Sequence, residues 1–335
     1  MKIKNQYNKI ALGVFTTLVF CLVGCQQAAD VTPETSQVAS SESPTMGAGM
    51  AGMGMGGMTG NAMGAGGMGA GAMAAPAAVT SNLVPSAVIP YKTIGDEDKT
   101  LNLHIFNPEG HTVSENSPAL LFFHGGGFRR GSPVEGYSMS EAFNPDGVVV
   151  IIPEYRLTDH EGRTIDEIIA DAKSSVRYVR ENAQSLGINP NQIVTSGHSA
   201  GAYLSMATGM IDRFDEPSET DAVSSKPNAM VIWSGSDSRS ENNTGEIMPE
   251  NITMDELQPR SYMSNDLPPS VFIHGSADTL IPYEPTYALS KEIANAGNVT
   301  SFYLVDGVDH FFTEAEDRAK VFERIKSFMA SLGYS

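Results

Sequence analysis

A serine lies between two glycines in the segment GHSAG at residues 197–201. Serine in a G-x-S-x-G pattern is a candidate nucleophile when a strand precedes it and a helix follows it, because the tight turn then presents its hydroxyl at the end of a sheet. The apolar run QIVTS precedes this segment, and AYLSMATGMI, which is rich in helix-forming residues, follows it. This context predicts a strand–turn–helix unit with Ser199 as the nucleophile, rather than a flexible Gly/Ser loop.

A serine hydroxyl needs a histidine to accept its proton and a carboxylate to orient that histidine. In hydrolases with this type of nucleophile turn, the acid follows the serine and the histidine comes last. Two histidines remain after Ser199 in the chain, His274 and His310. His310 follows the last apolar run and is the predicted base, whereas His274 ends the preceding run and is expected to be structural.

The predicted acid is Asp278, which lies four residues beyond the apolar run SVFIH and before a predicted helix. Asp306 and Asp309 are competing candidates for this role. Both are so close to His310 in sequence that neither could easily face its ring from a separate loop. The chain order therefore favours Asp278.

An oxyanion site is predicted upstream, where HGGG at residues 124–127 directly follows the apolar run ALLFF. Glycines expose backbone N–H groups that can converge on a developing oxyanion. Gly126 and Gly127 are the predicted donors from this loop, and the amide of Ala200 is the predicted donor from the serine turn. His124 is expected to hold the loop by hydrogen bonds, and the alternative is that HGGG is only a flexible turn.

The strands and helices that must position these residues are indicated by short apolar runs, which alternate with segments of helical periodicity. Continuous apolar runs indicate strands buried on both faces, as in a mostly parallel sheet; they occupy residues 119–123, 148–152, 192–196, 229–233, 270–274 and 301–305. Before them, SAVIPYKTI and TLNLHIF flank the turn GDEDK and predict an antiparallel hairpin.

Helices are predicted between these strands from apolar residues at the spacing i, i+3, i+4 and i+7. One such series is Ile165, Ile168, Ile169, Ala172, Val176 and Val179, and a second, after the last strand, is Phe322, Ile325, Met329 and Leu332. Polar residues, including Asp171, Lys173 and Arg177, take the other side of the first helix. Alternating strands and helices after a hairpin predict a doubly wound α/β fold.

From about Tyr91 to its end, the chain resembles the α/β-hydrolase superfamily, and within it the HGGG esterases. These include hormone-sensitive-lipase-like carboxylesterases and the bacterial feruloyl-esterase-like and arylformamidase-like branches. The matching stretches are HGGGF, IIPEYRL, LGINPNQIVTSGHSAG, HGSADTLIP and GVDHFF. The resemblance implies a catalytic triad of Ser199, Asp278 and His310, on a mostly parallel doubly wound sheet with helices on both faces and an antiparallel N-terminal hairpin.

Two positions depart from the hormone-sensitive-lipase-like pattern. His198 stands where many of those proteins have an acid, and Glu154 stands where they have an aspartate. His198 fits the feruloyl-esterase-like branch better, and we assign it no catalytic role from the sequence. No separate cap domain is predicted, although the polar insert at residues 234–269 could cover part of the pocket.

The function expected from these features is hydrolysis of small carboxylic esters through an acyl-serine, with no metal and no other cofactor. Two alternatives stay open. The chain could cleave a C–N bond, as an arylformamidase or a peptidase does, or it could be an inactive surface binding protein on the same fold. The oligomeric state is not predicted by the sequence.

The N-terminus predicts export and a lipid anchor. Residues 1–24 have a lysine-rich start and a short apolar run, which is typical of a signal peptide. The sequence LVGC at residues 22–25 resembles the lipobox of bacterial lipoproteins, which implies cleavage before Cys25 and its lipidation; the alternative is an ordinary signal peptide. Gln26 follows the cysteine, and by the same resemblance this favours the outer membrane.

The remaining residues divide into a spacer and one domain. Residues 25–82 are rich in Met, Gly and Ala and predict a disordered tether. A Gly-rich coil of about this length has a root-mean-square end-to-end distance of roughly 40 Å. The methionine thioethers of the tether are soft ligands suited to Cu(I), but filler between glycines is the favoured interpretation. Residues 83–335 predict one catalytic domain. With Cys21 removed with the signal, the mature chain could form no internal disulfide.

The net charge of the chain is −18. Such a surface repels phosphate backbones and anionic headgroups. Nucleic acid is therefore excluded as an expected partner, and contact with a membrane is expected only through the N-terminal lipid. The expected partner is a small-molecule ester substrate.

Overall fold

The computed structural model describes residues 34–35, 82–95, 99–158, 164–219, 222–237, 248–249 and 251–334. The predicted signal peptide at 1–24, Cys25 and the methionine-rich tract all lie outside the described residues and remain predictions from the sequence. Among the helices that are described, none has both the length and the apolar content needed to cross a bilayer.

In the described residues, nine strands form one sheet in the order β1-β9-β8-β7-β6-β4-β5-β3-β2. Their bounds are β1 Glu34–Thr35, β2 Ala87–Ile94, β3 Lys99–Phe106, β4 Ser117–Phe123, β5 Val149–Pro153, β6 Ile188–His198, β7 Ala229–Trp233, β8 Ser270–Gly275 and β9 Thr300–Val305. In this sheet order, every adjacent pair from β1 through β9, β8, β7, β6 and β4 to β5 is parallel. The last two pairs, β5 with β3 and β3 with β2, are antiparallel. The mostly parallel sheet and the N-terminal hairpin are therefore confirmed. The two residues of β1 lie within the predicted tether.

Five α-helices within the described ranges cover the two faces of this sheet. Their bounds are α1 Ser138–Phe143, α2 Ile165–Glu181, α3 Ala200–Met210, α4 Tyr283–Asn295 and α5 Ala315–Ser331, and short 3-10 helices occur at Pro133–Gly136, Asn144–Asp146, Asp255–Leu257 and Pro259–Tyr262. Alternate residues of the central strands pack on opposite sides: one set contacts α1 and α5, and the other contacts α2, α3 and α4. Every residue of α3 is buried, so this helix lies at the centre of its layer.

The polar side of α2 is buried, which its spacing alone did not indicate. Asp171 is fully buried and accepts hydrogen bonds from Arg156 Nε and Nη2, both at 2.7 Å. Its Oδ1 also forms an ion pair with Lys92 Nζ at 2.8 Å. Lys173 and Arg177 each pair with Asp215 at 2.6 Å. The segment that follows α3 therefore supplies counter-charges to this side of α2, and the ion pairs are largely shielded from water.

The Asp171 carboxylate is expected to be a major contributor to stability. Asp171→Asn would remove the fully buried carboxylate between Arg156 and Lys92, which would keep their partly exposed partners Glu167 and Glu216. Breaking a buried pair costs about 3–5 kcal/mol, and the lower end of that range applies here. We expect that decrease in the free energy of unfolding, measured by urea denaturation. Glu181→Gln, at the exposed end of the same helix, is the matched control and should change it by no more than about 0.5 kcal/mol. Equal stabilities of the two variants would contradict the assigned role of Asp171.

Candidate active site

Ser199 occupies a sharp turn between a strand and a helix. Strand β6 ends at His198 and α3 begins at Ala200, and Ser199 between them has φ 56° and ψ −117°. A positive φ is uncommon for a residue with a side chain, and here the Ser199 N–H donates to the carbonyl of Trp233 at 3.0 Å. The strand–turn–helix geometry predicted from GHSAG is confirmed.

The two glycines of GHSAG are required by close backbone approaches. A Cβ at Gly197 would collide with the backbone of Gly201, and a Cβ at Gly201 would collide with the carbonyl of Phe123 at the end of β4. The turn is therefore packed directly against the strand that leads into the HGGG loop. This packing places Ser199 beside that loop: a Cβ at Gly125 would lie 3.4 Å from the Cβ of Ser199.

Asp278 and His310 form a buried hydrogen-bonded pair. His310 Nδ1 donates to Asp278 Oδ2 at 2.8 Å, and Asp278 Oδ1 accepts the backbone N–H groups of Leu280 at 3.0 Å and Ile281 at 2.8 Å. A carboxylate only accepts, so Nδ1 of the neutral ring carries the hydrogen. Nε2 is then left with its lone pair, which is the form that can accept a proton.

The loops carrying these two residues are held together at the ends of β8 and β9. The N–H groups of Ser276 and Ala277 donate to the carbonyls of Val305 at 2.9 Å and Val308 at 3.0 Å. A Cβ at Gly275 would collide with the carbonyl of Val308, so this position too requires a glycine. Because β8 and β9 are adjacent and parallel, their following loops meet at one edge of the sheet.

The two competing aspartates do not face the His310 ring. Asp306 Oδ1 accepts from Ser276 Oγ at 3.0 Å, and Asp309 Oδ1 accepts the N–H of Phe311 at 3.0 Å. Both aspartates are exposed. Each carboxylate therefore orders its own loop, and Asp278 is the carboxylate that the structure places against His310.

His198 links the serine turn to the histidine loop, a contact that its position in the sequence did not indicate. Its Nε2 donates to the carbonyl of His310 at 2.8 Å, and its ring centroid lies 4.9 Å from that of His310 and 5.1 Å from that of Trp233. Burial, together with the neighbouring His310, lowers the pKa of His198 to about 4. His198 is therefore neutral at pH 7 and acts as a hydrogen-bond donor.

The HGGG loop is held by a buried tyrosine. Tyr155 OH donates to the carbonyl of His124 at 2.7 Å, and the two rings stack with centroids 4.3 Å apart. Gly126 and Gly127 have φ of 106° and 65°, which favours glycine. The loop is therefore defined by hydrogen bonds and is not a flexible turn. The contact of Tyr155 with His124 was not predicted, because no spacing in IIPEYRL connects this tyrosine to residue 124.

The surroundings of Asp278 and His124 determine which of these two buried side chains is charged. Burial raises the pKa of Asp278, but hydrogen bonds from His274 and His310 outweigh that effect and hold its pKa well below the usual range. Burial lowers the pKa of His124 to about 4. At pH 7 Asp278 is therefore ionised, and His124 is neutral.

The chain is similar in sequence to a family model and to proteins named as esterases. The BD-FAE family model matches residues 103–293. The acetylxylan esterase of Xylanibacter ruminicola is 27% identical over 219 residues, covering 62% of this chain and 42% of that protein, and esterase LipC of Mycobacterium tuberculosis is 24% identical over 216 residues, covering 58% and 53%. The chain spans about half or less of the length of the curated relatives it matches.

Solved structures of esterase 2 from Thermogutta terrifontis are also similar. The form phosphoramylated by tabun has a TM-score of 0.70 and 27% identity, covering 74% of this chain and 95% of that one. The propionate-bound form has a TM-score of 0.69 and 27% identity, covering 74% and 94%. This similarity extends over nearly the whole length of those esterases.

Replacement of Asp278 is expected to have the largest effect among the aspartates of these loops. Asp278→Asn keeps the shape but favours the wrong His310 tautomer, a change that costs about 10⁴-fold in turnover in another serine hydrolase, or about 5 kcal/mol of barrier. We expect a loss of that size in kcat on a nitrophenyl ester, with KM changed far less. Asp309→Asn is the control and should retain most activity. The reverse pattern would move the acid to the histidine's own loop.

Proposed function

This chain belongs to the BD-FAE family and is a carboxylic ester hydrolase of the α/β-hydrolase fold, and we propose that it cleaves small esters with Ser199 as nucleophile. The observation that carries the proposal is the buried Asp278–His310 pair at the sheet edge where the Ser199 turn lies. Both the strained turn and the oriented histidine have the form that acyl transfer requires.

The proposed reaction proceeds in two halves. Ser199 Oγ bonds to the ester carbonyl carbon while His310 Nε2 accepts its proton, and Asp278 stabilises the imidazolium that forms. The tetrahedral intermediate expels the alcohol, which takes that proton, and leaves an acyl-serine. A water molecule then attacks the acyl carbon with His310 again accepting the proton, and the carboxylic acid is released as Ser199 regains its hydrogen.

The negative charge that develops on the carbonyl oxygen needs fixed donors. We assign this role to the N–H groups of Gly126, Gly127 and Ala200. The support for this assignment is the close approach of the HGGG loop to Ser199 and the hydrogen bond of Tyr155 that holds the start of that loop. No step of this scheme requires a metal or another cofactor.

A short acyl group is the proposed preference. The support comes from relatives: one is named an acetylxylan esterase, and esterase 2 of Thermogutta terrifontis has structures with propionate and with butyrate bound. A panel of nitrophenyl esters, feruloyl esters, acetylated sugars and formyl anilides tests the preference directly. Faster cleavage of the formyl anilides would favour the C–N alternative.

Covalent labelling tests the nucleophile. One organophosphate molecule per chain should attach to Ser199, as located by mass spectrometry, and a nitrophenyl ester should give a burst of about one product per chain. Ser199→Ala should remove both signals and reduce kcat by about 10⁴-fold or more, because the hydroxyl that forms the acyl bond is absent. Ser185→Ala, at an exposed serine, is the matched control. Labelling at another residue, or full activity without Ser199, would overturn the proposal.

We also propose that the enzyme acts outside the cytoplasm and is anchored to the outer membrane by lipid on Cys25. The support is the lipobox-like sequence LVGC and the Gly-rich spacer that follows it. The spacer would let the catalytic domain reach substrate at a distance from the membrane surface.

Cys25→Ser tests the anchor. The wild-type protein should incorporate labelled palmitate and partition into detergent, whereas Cys25→Ser should incorporate none and be released or remain unprocessed. Cys21→Ser is the matched control, since Cys21 lies within the predicted signal peptide and should not change lipidation. Incorporation that persists in Cys25→Ser, or is absent from the wild type, would contradict the proposal.

A further inference from the structure

A second histidine contacts the Asp278 carboxylate. His274 lies in β8 and is fully buried, and its Nε2 is 3.2 Å from Asp278 Oδ2 and 2.9 Å from the carbonyl oxygen of Ile281. Both neighbours are acceptors, so Nε2 must carry the hydrogen. This single N–H bonds to the Ile281 carbonyl and also lies close to the same carboxylate oxygen that accepts the hydrogen bond from His310.

With this contact, N–H groups lie close to all the lone-pair positions of Asp278. Oδ1 accepts two backbone N–H groups, from Leu280 and Ile281, and Oδ2 faces the two imidazole N–H groups. A carboxylate offers about four such positions. The backbone donors alone hold only Oδ1, so the direction in which Oδ2 points is determined by His274 and His310 together.

The other nitrogen of His274 indicates that the ring is neutral. Within the part of the chain that the structure describes, Nδ1 is buried without a hydrogen-bond partner. A proton there would be a buried, unpaired donor on a charged ring, which is costly. The titratable groups around Asp278 from other elements are His310 and, beside it, His198. His274 is thus a fully buried donor beside Asp278, with no exposed surface through which it could reach substrate.

We propose that His274 is a positioning residue that orients Asp278 and thereby sets how strongly Asp278 supports the protonated form of His310. This inference rests on the proposed function, because it assigns His310 the role of base. It differs from the interpretation of His274 as a structural residue at a strand end, since it predicts effects on the reaction itself.

Three substitutions separate the two interpretations. His274→Gln places an amide donor near the position of Nε2, His274→Asn places the same donor near Nδ1, where no partner lies, and His274→Leu removes the donor. His111→Gln is a matched control, because His111 also bonds to a backbone carbonyl, that of Leu186 at 3.0 Å, but precedes β4 at the amino end of the parallel strands. Each variant is compared with the wild type by pH dependence of kcat and kcat/KM, by thermal unfolding and by the downfield proton resonance of His310 Nδ1–H.

We expect His274→Asn and His274→Leu to lower kcat about tenfold to a hundredfold, the size of one hydrogen bond to a charged group, with KM changed far less. The acid limb of kcat/KM should move to lower pH, because an Asp278 carboxylate that His274 no longer holds toward His310 supports the protonated ring less. The Nδ1–H resonance should move in the same two variants. His274→Gln should restore all three readouts, and His111→Gln should match the wild type.

Two outcomes would overturn the inference: wild-type kcat and acid limb in folded His274→Asn, or a loss in His274→Gln equal to that in His274→Asn. The comparison of Gln with Asn remains decisive if His274→Leu does not fold, since the two amides differ mainly in where the donor lies. Failure of the proposed function is seen separately, as activity that survives Ser199→Ala. A chain that requires Ser199 but tolerates every His274 substitution would refute only the role of His274.

Discussion

Parallel pairing of the central strands is the constraint on which the proposed site depends. The carboxyl ends of β4, β6, β8 and β9 meet at one edge of the sheet, and each is followed directly by a loop of the site. Residues far apart in sequence are brought together by this pairing, as in the bond from His310 to Asp278. A hydrogen-bonded sheet is stiff, so the distances between these loops vary little, and acyl transfer depends on such fixed distances.

The turn at Ser199 is strained, and the surrounding packing offsets the strain. A side-chain residue with such backbone angles costs on the order of 1–3 kcal/mol. Burial of all of α3 against the sheet, the Ser199 N–H bond to Trp233 and the contact of Gly201 with β4 hold the turn in place. The strained conformation persists because relaxing it would require separating α3 from the sheet.

Sequence patterns predicted the elements of this fold better than the contacts between them. The continuous apolar runs identified the parallel strands, the GHSAG motif pointed to Ser199, and chain order pointed to Asp278 and His310. Periodicity indicates the side of its own helix on which a residue lies, but not what covers that side. For this reason the burial of Asp171, whose counter-charges come from Arg156 and Lys92, was missed.

The roles of His198 and His274 could not be predicted for a related reason. His198 bonds to a carbonyl 112 residues later in the chain, and only the fold brings the two together. His274 and Asp278 are four residues apart, but that spacing is informative only once the loop between them is known to fold back. Tyr155 belongs to the same class, since its contact with His124 joins the ends of two strands.

Three imidazoles around one carboxylate raise the question of which takes the catalytic proton. Burial holds the pKa of His198 at about 4, against 6.5 for a free histidine, and protonated His274 would carry an unpaired buried donor. In the proposed mechanism the proton from Ser199 therefore goes to His310, whose Nδ1 is directed at Asp278. The same depression of the pKa of His198 destabilises the fold as pH falls from about 6.5 toward 4, because the unfolded chain then binds a proton that the folded chain does not. The burial that disfavours a proton on His198 therefore also makes the fold less stable in acid.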